Sequence, residues 1–156
     1  MMGGDVTIDI RPAERHHVPA IVEMLADDEL GASRENTSSE GLADYERAFD
    51  AIAAHPTSTL YVALLGDQVV GTFQLTLIPG MSQRGMTRAD VEAVRVHASL
   101  RGKGLGARLM AFARSEAERQ GAGMLQLTSN KVRGDAHRFY ERLGFARSHE
   151  GFKLKL

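Results

Sequence analysis

Three glycines at alternate positions, Gly102, Gly104 and Gly106, stand between a β-type apolar run ending at His97 and an amphipathic run that continues to about Gln120. This strand, glycine turn and helix constrain the chain more than any other stretch. A turn without β-carbons leaves its amide groups free to close on something bulky and negative at the point where a helix begins. The helix N-terminus adds about half a positive charge, worth about 0.3–1 kcal/mol to an anion and up to ~2 kcal/mol when partly buried. A pyrophosphate is the expected occupant.

Three phosphate-binding patterns compete for this run. A P-loop needs Gly-x-x-x-x-Gly-Lys-Ser/Thr, but Lys103 is followed by Gly104, so no hydroxyl is placed for magnesium. A dinucleotide fingerprint matches Gly102, Gly104 and Ala107, yet it should turn directly off its strand and be followed about 20 residues on by an acidic residue. Here His97-Ala98-Ser99-Leu100 intervenes, and the next strand runs into Thr128-Ser129-Asn130. The third pattern, Arg/Gln-x-x-Gly-x-Gly/Ala, is met by Arg101, Gly104 and Gly106. Val94-Arg95-Val96-His97 lies just upstream, and His137-Arg138-Phe139-Tyr140-Glu141-Arg142-Leu143-Gly144-Phe145 follows. On these motifs, in this order, nearly the whole chain resembles the GNAT superfamily of N-acetyltransferases.

The 156 residues suit one domain, 1–156, with one sizeable core. A net charge of −1 lacks the basic excess of a dedicated nucleic-acid binder, so no nucleic-acid partner is expected. Apolar runs fall far short of a membrane span and the first residues do not read as a signal peptide, so a cytoplasmic protein without membrane attachment is expected. There is no cysteine, which excludes disulfides, cysteine–zinc sites and an acyl-cysteine intermediate. An acyltransferase of this composition would work by direct attack of its acceptor. The six histidines, among them the adjacent His16 and His17, show no ligand spacing, so no metal is expected and the pair reads as solvated helix entry.

Periodicity gives the element order. Residues 6–11 alternate as a first strand, and 16–28 form a helix with Pro19 in its first turn. A polar loop over 31–39 leads to a helix with the stripe Leu42, Tyr45, Phe49 and Ile52, stopped at His55-Pro56. Runs 59–65 and 69–78 make a hairpin around Gly66-Asp67-Gln68. Residues 81–90 read as a loop before the strand 91–97. The helix after the glycines buries Leu105, Leu109, Phe112, Ala113 and Ala117; a strand at 124–128 and a helix ended by Gly144 follow. A last strand pair, 145–149 and 152–156, turns at Glu150-Gly151. This order is that of the GNAT fold, an α/β architecture with a mixed central sheet and helices on both faces.

In a regular strand Glu92, Val94 and Val96 share one face. A carboxylate in line with two valines is either a salt-bridged or strand-end residue or a working group. An alkyl ammonium with a pKa of about 10.4 is roughly 4–5 kcal/mol away from its reactive neutral form at pH 7, so an amine acceptor needs a base. The resemblance implies Glu92 as that base, acting through water, and Tyr140 as the acid that protonates the departing CoA thiolate; Tyr140 on an apolar helix stripe also suits the core. It further implies acetyl-CoA as co-substrate, with main-chain contacts from Val94 and Val96 to the pantetheine arm. Arg101, Gly102, Lys103, Gly104, Leu105, Gly106 and Ala107 would then hold the pyrophosphate and Asn130 the arm, unless Asn130 is a turn residue. Arg34, Arg84 and Arg88, in loops that border the acceptor side of such folds, could anchor an anionic group on a small-molecule amine. A monomer or homodimer is expected. The competing reading is a degenerate domain that binds acyl-CoA as a sensor or partner module without turnover.

Overall fold

The computed structural model describes residues 7–156. Val6, expected to open the first strand, lies outside the described residues. One five-stranded sheet carries the fold, in the order β1(Ile8–Pro12), β2(Ser58–Leu65), β3(Gln68–Ile78), β4(Arg88–Val96), β5(Met124–Leu127). The first three pairings are antiparallel and β4·β5 is parallel, so the sheet is mixed as expected. Gly66 takes the positive φ of 60° that suits the first position of the two-residue β2–β3 turn.

Alternation along β2 and β3 divides the core in two. Tyr61, Ala63, Phe73 and Leu75 point to the face covered by α5(Leu105–Arg119), which buries Leu105, Leu109, Met110, Ala113 and Ala117. Tyr61 stacks on Phe73 with centroids 4.9 Å apart, and Phe112 meets Tyr61 edge-on at 5.3 Å. Val62, Leu64 and Val69 point to the opposite face, where α1(Val18–Ala26) brings Ile21 and Met24. Each buried Val, Leu, Ile, Met or Phe among them contributes about 1.5–3 kcal/mol. The helix α3(Leu42–Ala54) packs beside β2 with its expected stripe half-buried.

Several expectations are corrected. The first long helix breaks after Ala26, and part of the expected polar loop is instead a second short helix, α2(Glu29–Arg34). Asp28 causes this: its side chain accepts from the Gly31 amide at 2.5 Å, a helix cap that stops one helix and starts the next. His17 is buried at 5% exposure, not solvated, and its Nδ1 accepts from the Glu14 amide at 2.9 Å; only His16 is exposed. Residues 81–90 are not one loop. A short turn α4(Ser82–Gly85) with left-handed Gln83 and Arg84 is followed by the start of β4, so Arg88 is a strand residue. Among the described residues no strand forms over 145–156; beyond α6(Gly134–Arg142) the chain is irregular, and Phe152, Leu154 and Leu156 are exposed. Alternation marks a segment able to pair, but an edge must be present to receive it. No helix among the described residues is long and apolar enough to cross a membrane.

The α1–α2 junction has a sharp test in Gly31, which is buried and whose added Cβ would overlap the Leu25 carbonyl oxygen. Gly31→Ala should lower stability by about 1–3 kcal/mol, the usual cost of overpacking, in urea unfolding at unchanged m-value. A neutral result would mean that the junction yields freely.

Candidate active site

The site begins where two parallel strands part. Pairing between β4 and β5 runs from Arg88 opposite Met124 to Val91 opposite Leu127 and stops there. From Glu92 onward, among the described residues, β4 is paired only with β3, leaving its other edge without a strand partner. Such an edge offers main-chain groups to any extended amide-bearing chain laid beside it. Val94 and Val96 lie on this stretch, where a pantetheine arm was expected.

A bulge accompanies the parting. Thr72 pairs with Arg95 and Gln74 with Glu92, so Ala93 and Val94 together oppose the single residue Phe73. Ala93 sits at φ 53°, a left-handed backbone rare for a residue with a β-carbon. The extra residue reverses the expected sidedness. Partners across a ladder share a face, so Glu92 and Arg95 stand together on the side of Thr72 and Gln74, while Val91 and Val96 join the α5 core. Glu92 is therefore not in line with Val94 and Val96 as a regular strand would place it.

The glycine turn leads into α5 as expected. Gly102 and Gly104 have φ of 74° and 84°, and a Cβ on either would meet nothing within 4 Å, so both serve backbone conformation and an open approach. The Gly104 carbonyl accepts from the Arg108 amide at 3.2 Å, which leaves the amides of Leu105, Gly106 and Ala107 without an intrahelical acceptor. Gly106 has a different reason: its Cβ would stand 3.2 Å from the Phe139 ring, so its absence lets α6 pack closely. The exposed Arg101 side chain donates to Asp27 Oδ2 at 2.9 Å and to the Val96 carbonyl at 3.3 Å. It braces the turn against the end of α1 and against β4, and Lys103 is a second exposed cation of the turn. Asn130 is a turn residue, its Oδ1 accepting from the Val132 amide at 3.1 Å.

Glu92 is exposed and lies beside Asp90, whose side-chain hydrogen bond, with some loss of solvation, raises the Glu92 carboxyl above its ordinary value. Asp90 is held in turn by Gln126 Nε2 at 3.4 Å. Tyr140 is half-buried between Phe139 and Phe145, with ring centroids at 5.1 and 5.9 Å. Burial raises its phenol, and the positive charges of Arg95 and Arg133 oppose that shift. It is a protonated donor at neutral pH.

Arg95 and Arg133 were missed from sequence. Arg95 is partly buried on the Glu92 face, about 7 Å further along by strand rise. Its Nη1 donates to the Val94 carbonyl at 2.9 Å, and its buried Nε has no hydrogen-bond partner among the described residues. Arg133, just before α6, pairs with the Asp28 carboxylate. Of the three expected acceptor-side arginines, only Arg34 is close enough to act electrostatically on Arg95. Arg88 opens β4, roughly 20 Å from Arg95, and Arg84 lies in the turn before it. Glu14, His16 and His17 each bring one possible metal-ligand atom within 4.8 Å of the others, although His17 Nδ1 is already engaged by the Glu14 amide.

The turn is tested by Gly104→Val. A β-branched residue at φ 84° costs about 1–2 kcal/mol of local strain and fills the open front. Calorimetry should find acetyl-CoA affinity at least about tenfold weaker, about 1.4 kcal/mol, in a variant with an unchanged circular dichroism spectrum. Unaltered affinity in the folded variant would remove the pyrophosphate assignment.

Comparisons with known proteins agree with this geometry. The model of the acetyltransferase (GNAT) family matches residues 20–145. An aminoalkylphosphonate N-acetyltransferase of Salmonella typhimurium is 33% identical over 116 residues, 72% of this chain and 75% of that protein. The crystal structure of a transcriptional regulator from Bacillus halodurans C-125 is 41% identical, with a TM-score of 0.92 over 96% of this chain and all of that one. A predicted acetyltransferase from Clostridium acetobutylicum, in a crystal structure with acetyl-CoA, shares the fold at 16% identity, with a TM-score of 0.74 over 96% of each chain. The mixed sheet, the strand parting and the glycine turn thus stand in a chain that belongs to the GNAT acetyltransferase family.

Proposed function

We propose that the protein transfers an acetyl group from acetyl-CoA to the primary amine of a small molecule by direct attack. The observation that carries this reading is the β4 edge beyond Val91, without a strand partner among the described residues, which runs past Glu92 to Val96, one short 3-10 turn before the glycines. The acceptor nitrogen attacks the thioester carbonyl carbon, the C–S bond breaks, and the sulfur leaves with the bonding pair. Glu92 takes the proton lost by nitrogen, directly or through water, and Tyr140 gives one to sulfur. A raised carboxyl is closer to the operating pH and so better matched to that task. A phenol at its ordinary pKa of about 10 donating to a thiolate near 8.5 is uphill by ~2 kcal/mol; burial of Tyr140 widens that gap, and hydrogen bonds to sulfur must close it. The name of the Salmonella relative supports a small-molecule acceptor.

A relative described as a transcriptional regulator favours keeping one alternative, a domain that binds acyl-CoA without turnover. Thiol release from acetyl-CoA over a panel of primary amines decides between them. Turnover above background supports the transferase; binding of CoA with no release supports the sensor. With a working acceptor, Tyr140→Phe should lower kcat by roughly 10²–10⁴-fold at unchanged acetyl-CoA affinity, the range for loss of a general acid. Full activity in this variant would return Tyr140 to the core. In the unaltered protein kcat/KM should rise with pH through two ionisations, the acceptor ammonium and Glu92. Because Asp90 raises Glu92, its limb should lie above that of an ordinary carboxylate, and Glu92→Gln should retain only the ammonium limb.

A further inference from the structure

We propose that Arg34, Arg95 and Arg133 form a receptor for an oxyanion carried by the amine acceptor, a tetrahedral phosphonate or phosphate in preference to a carboxylate. This rests on the acyl-transfer reading for its setting beside Tyr140, but the receptor itself rests on charges that the fold leaves uncompensated. Arg95 is brought onto the Glu92 face only by the bulge at Ala93. There it uses one nitrogen on the neighbouring Val94 carbonyl and keeps a buried Nε with no acceptor. A buried donor without a partner, on a charged group, is costly unless a ligand completes it.

The surroundings make the deficit specific. Asp28 is the acidic group that acts on Arg95, and it is already committed, accepting from the Gly31 amide and from Arg133. Arg133 is itself mostly shielded, with 24% of its side chain exposed. Arg34, at the end of α2, is exposed, makes no ion pair among the described residues and still acts on Arg95. Three guanidinium groups against one carboxylate leave two positive charges, the complement of a dianion. Planar guanidinium forks suit tetrahedral oxyanions, and each charge-assisted bond is shorter and stronger than a neutral one. Arg95 and Arg133 both act on Tyr140, so an oxyanion held here is within electrostatic reach of the proposed acid. Asp28 has a second part in this arrangement. By capping α2 it sets where Arg34 ends up, and by pairing with Arg133 it ties α6 to the same point.

Three acceptors of similar length separate the terms: 2-aminoethylphosphonate, β-alanine and propylamine. The expected order of kcat/KM is phosphonate, carboxylate, alkylamine, with roughly 100-fold between first and last. Arg34→Gln should raise KM for the phosphonate about tenfold at nearly constant kcat, while Arg84→Gln, at the far end of β4, should change neither. Calorimetry with methylphosphonate, which carries no amine, tests the receptor without turnover. Binding that weakens in Arg34→Gln and Arg133→Gln supports it. If no amine releases thiol, the transferase reading fails while methylphosphonate binding still stands or falls separately. Equal kcat/KM for propylamine and the phosphonate, or methylphosphonate binding indifferent to both substitutions, overturns the receptor; β-alanine ahead of the phosphonate overturns the charge count.

Discussion

The loss of pairing between β4 and β5 after Val91 is the constraint on which the other features depend. A strand edge in the middle of a sheet is normally closed by its neighbour, because unpaired main-chain groups there are costly. Here four ladder positions hold the two strands together at one end, and the chain then diverges. Bulges bend and twist a strand, so the extra residue at Ala93 suits the divergence as well as the reversal of side-chain sidedness. One backbone irregularity therefore goes with an open edge, a carboxylate and a guanidinium on one face, and a path toward the N-terminus of α5.

Electrostatics then divides this surface into zones. At the glycine turn, free helix N-terminal amides and the exposed Lys103 face outward, while Arg101 is paired with Asp27. Along the Glu92 face, Asp90 and Glu92 concentrate negative charge near the middle of β4, and Arg95, Arg133 and Arg34 concentrate positive charge beyond the bulge. An ammonium is attracted to the first zone and an oxyanion to the second. A small molecule bearing both groups would be oriented before reaction, and orientation is among the largest contributions available to bimolecular transfer.

The five strands, the hairpin, α5 and its buried stripe were legible because their periodicity is local. Leu109 and Ala113 look buried in sequence and are buried in the fold. The glycine turn was legible for the same reason, since Gly102 and Gly104 declare their positive φ by type. The bulge was hidden. Alanine carries no turn signal, so Glu92 and Arg95 were assigned to opposite faces. Arg133 and Asp28 are 105 residues apart in sequence, and no local pattern announces their pairing. The final strands failed for a related reason: Phe152, Leu154 and Leu156 alternate properly, but alternation does not supply a partner edge.

The central claim is that acetyl-CoA lies along the β4 edge where β5 leaves it. Amide hydrogen exchange with and without acetyl-CoA tests this most directly. The account predicts slowed exchange in peptides covering Val94–Val96 and Leu105–Ala107, with little change in α3. Protection confined to α1 or α3, with both of those stretches unaffected, would contradict it.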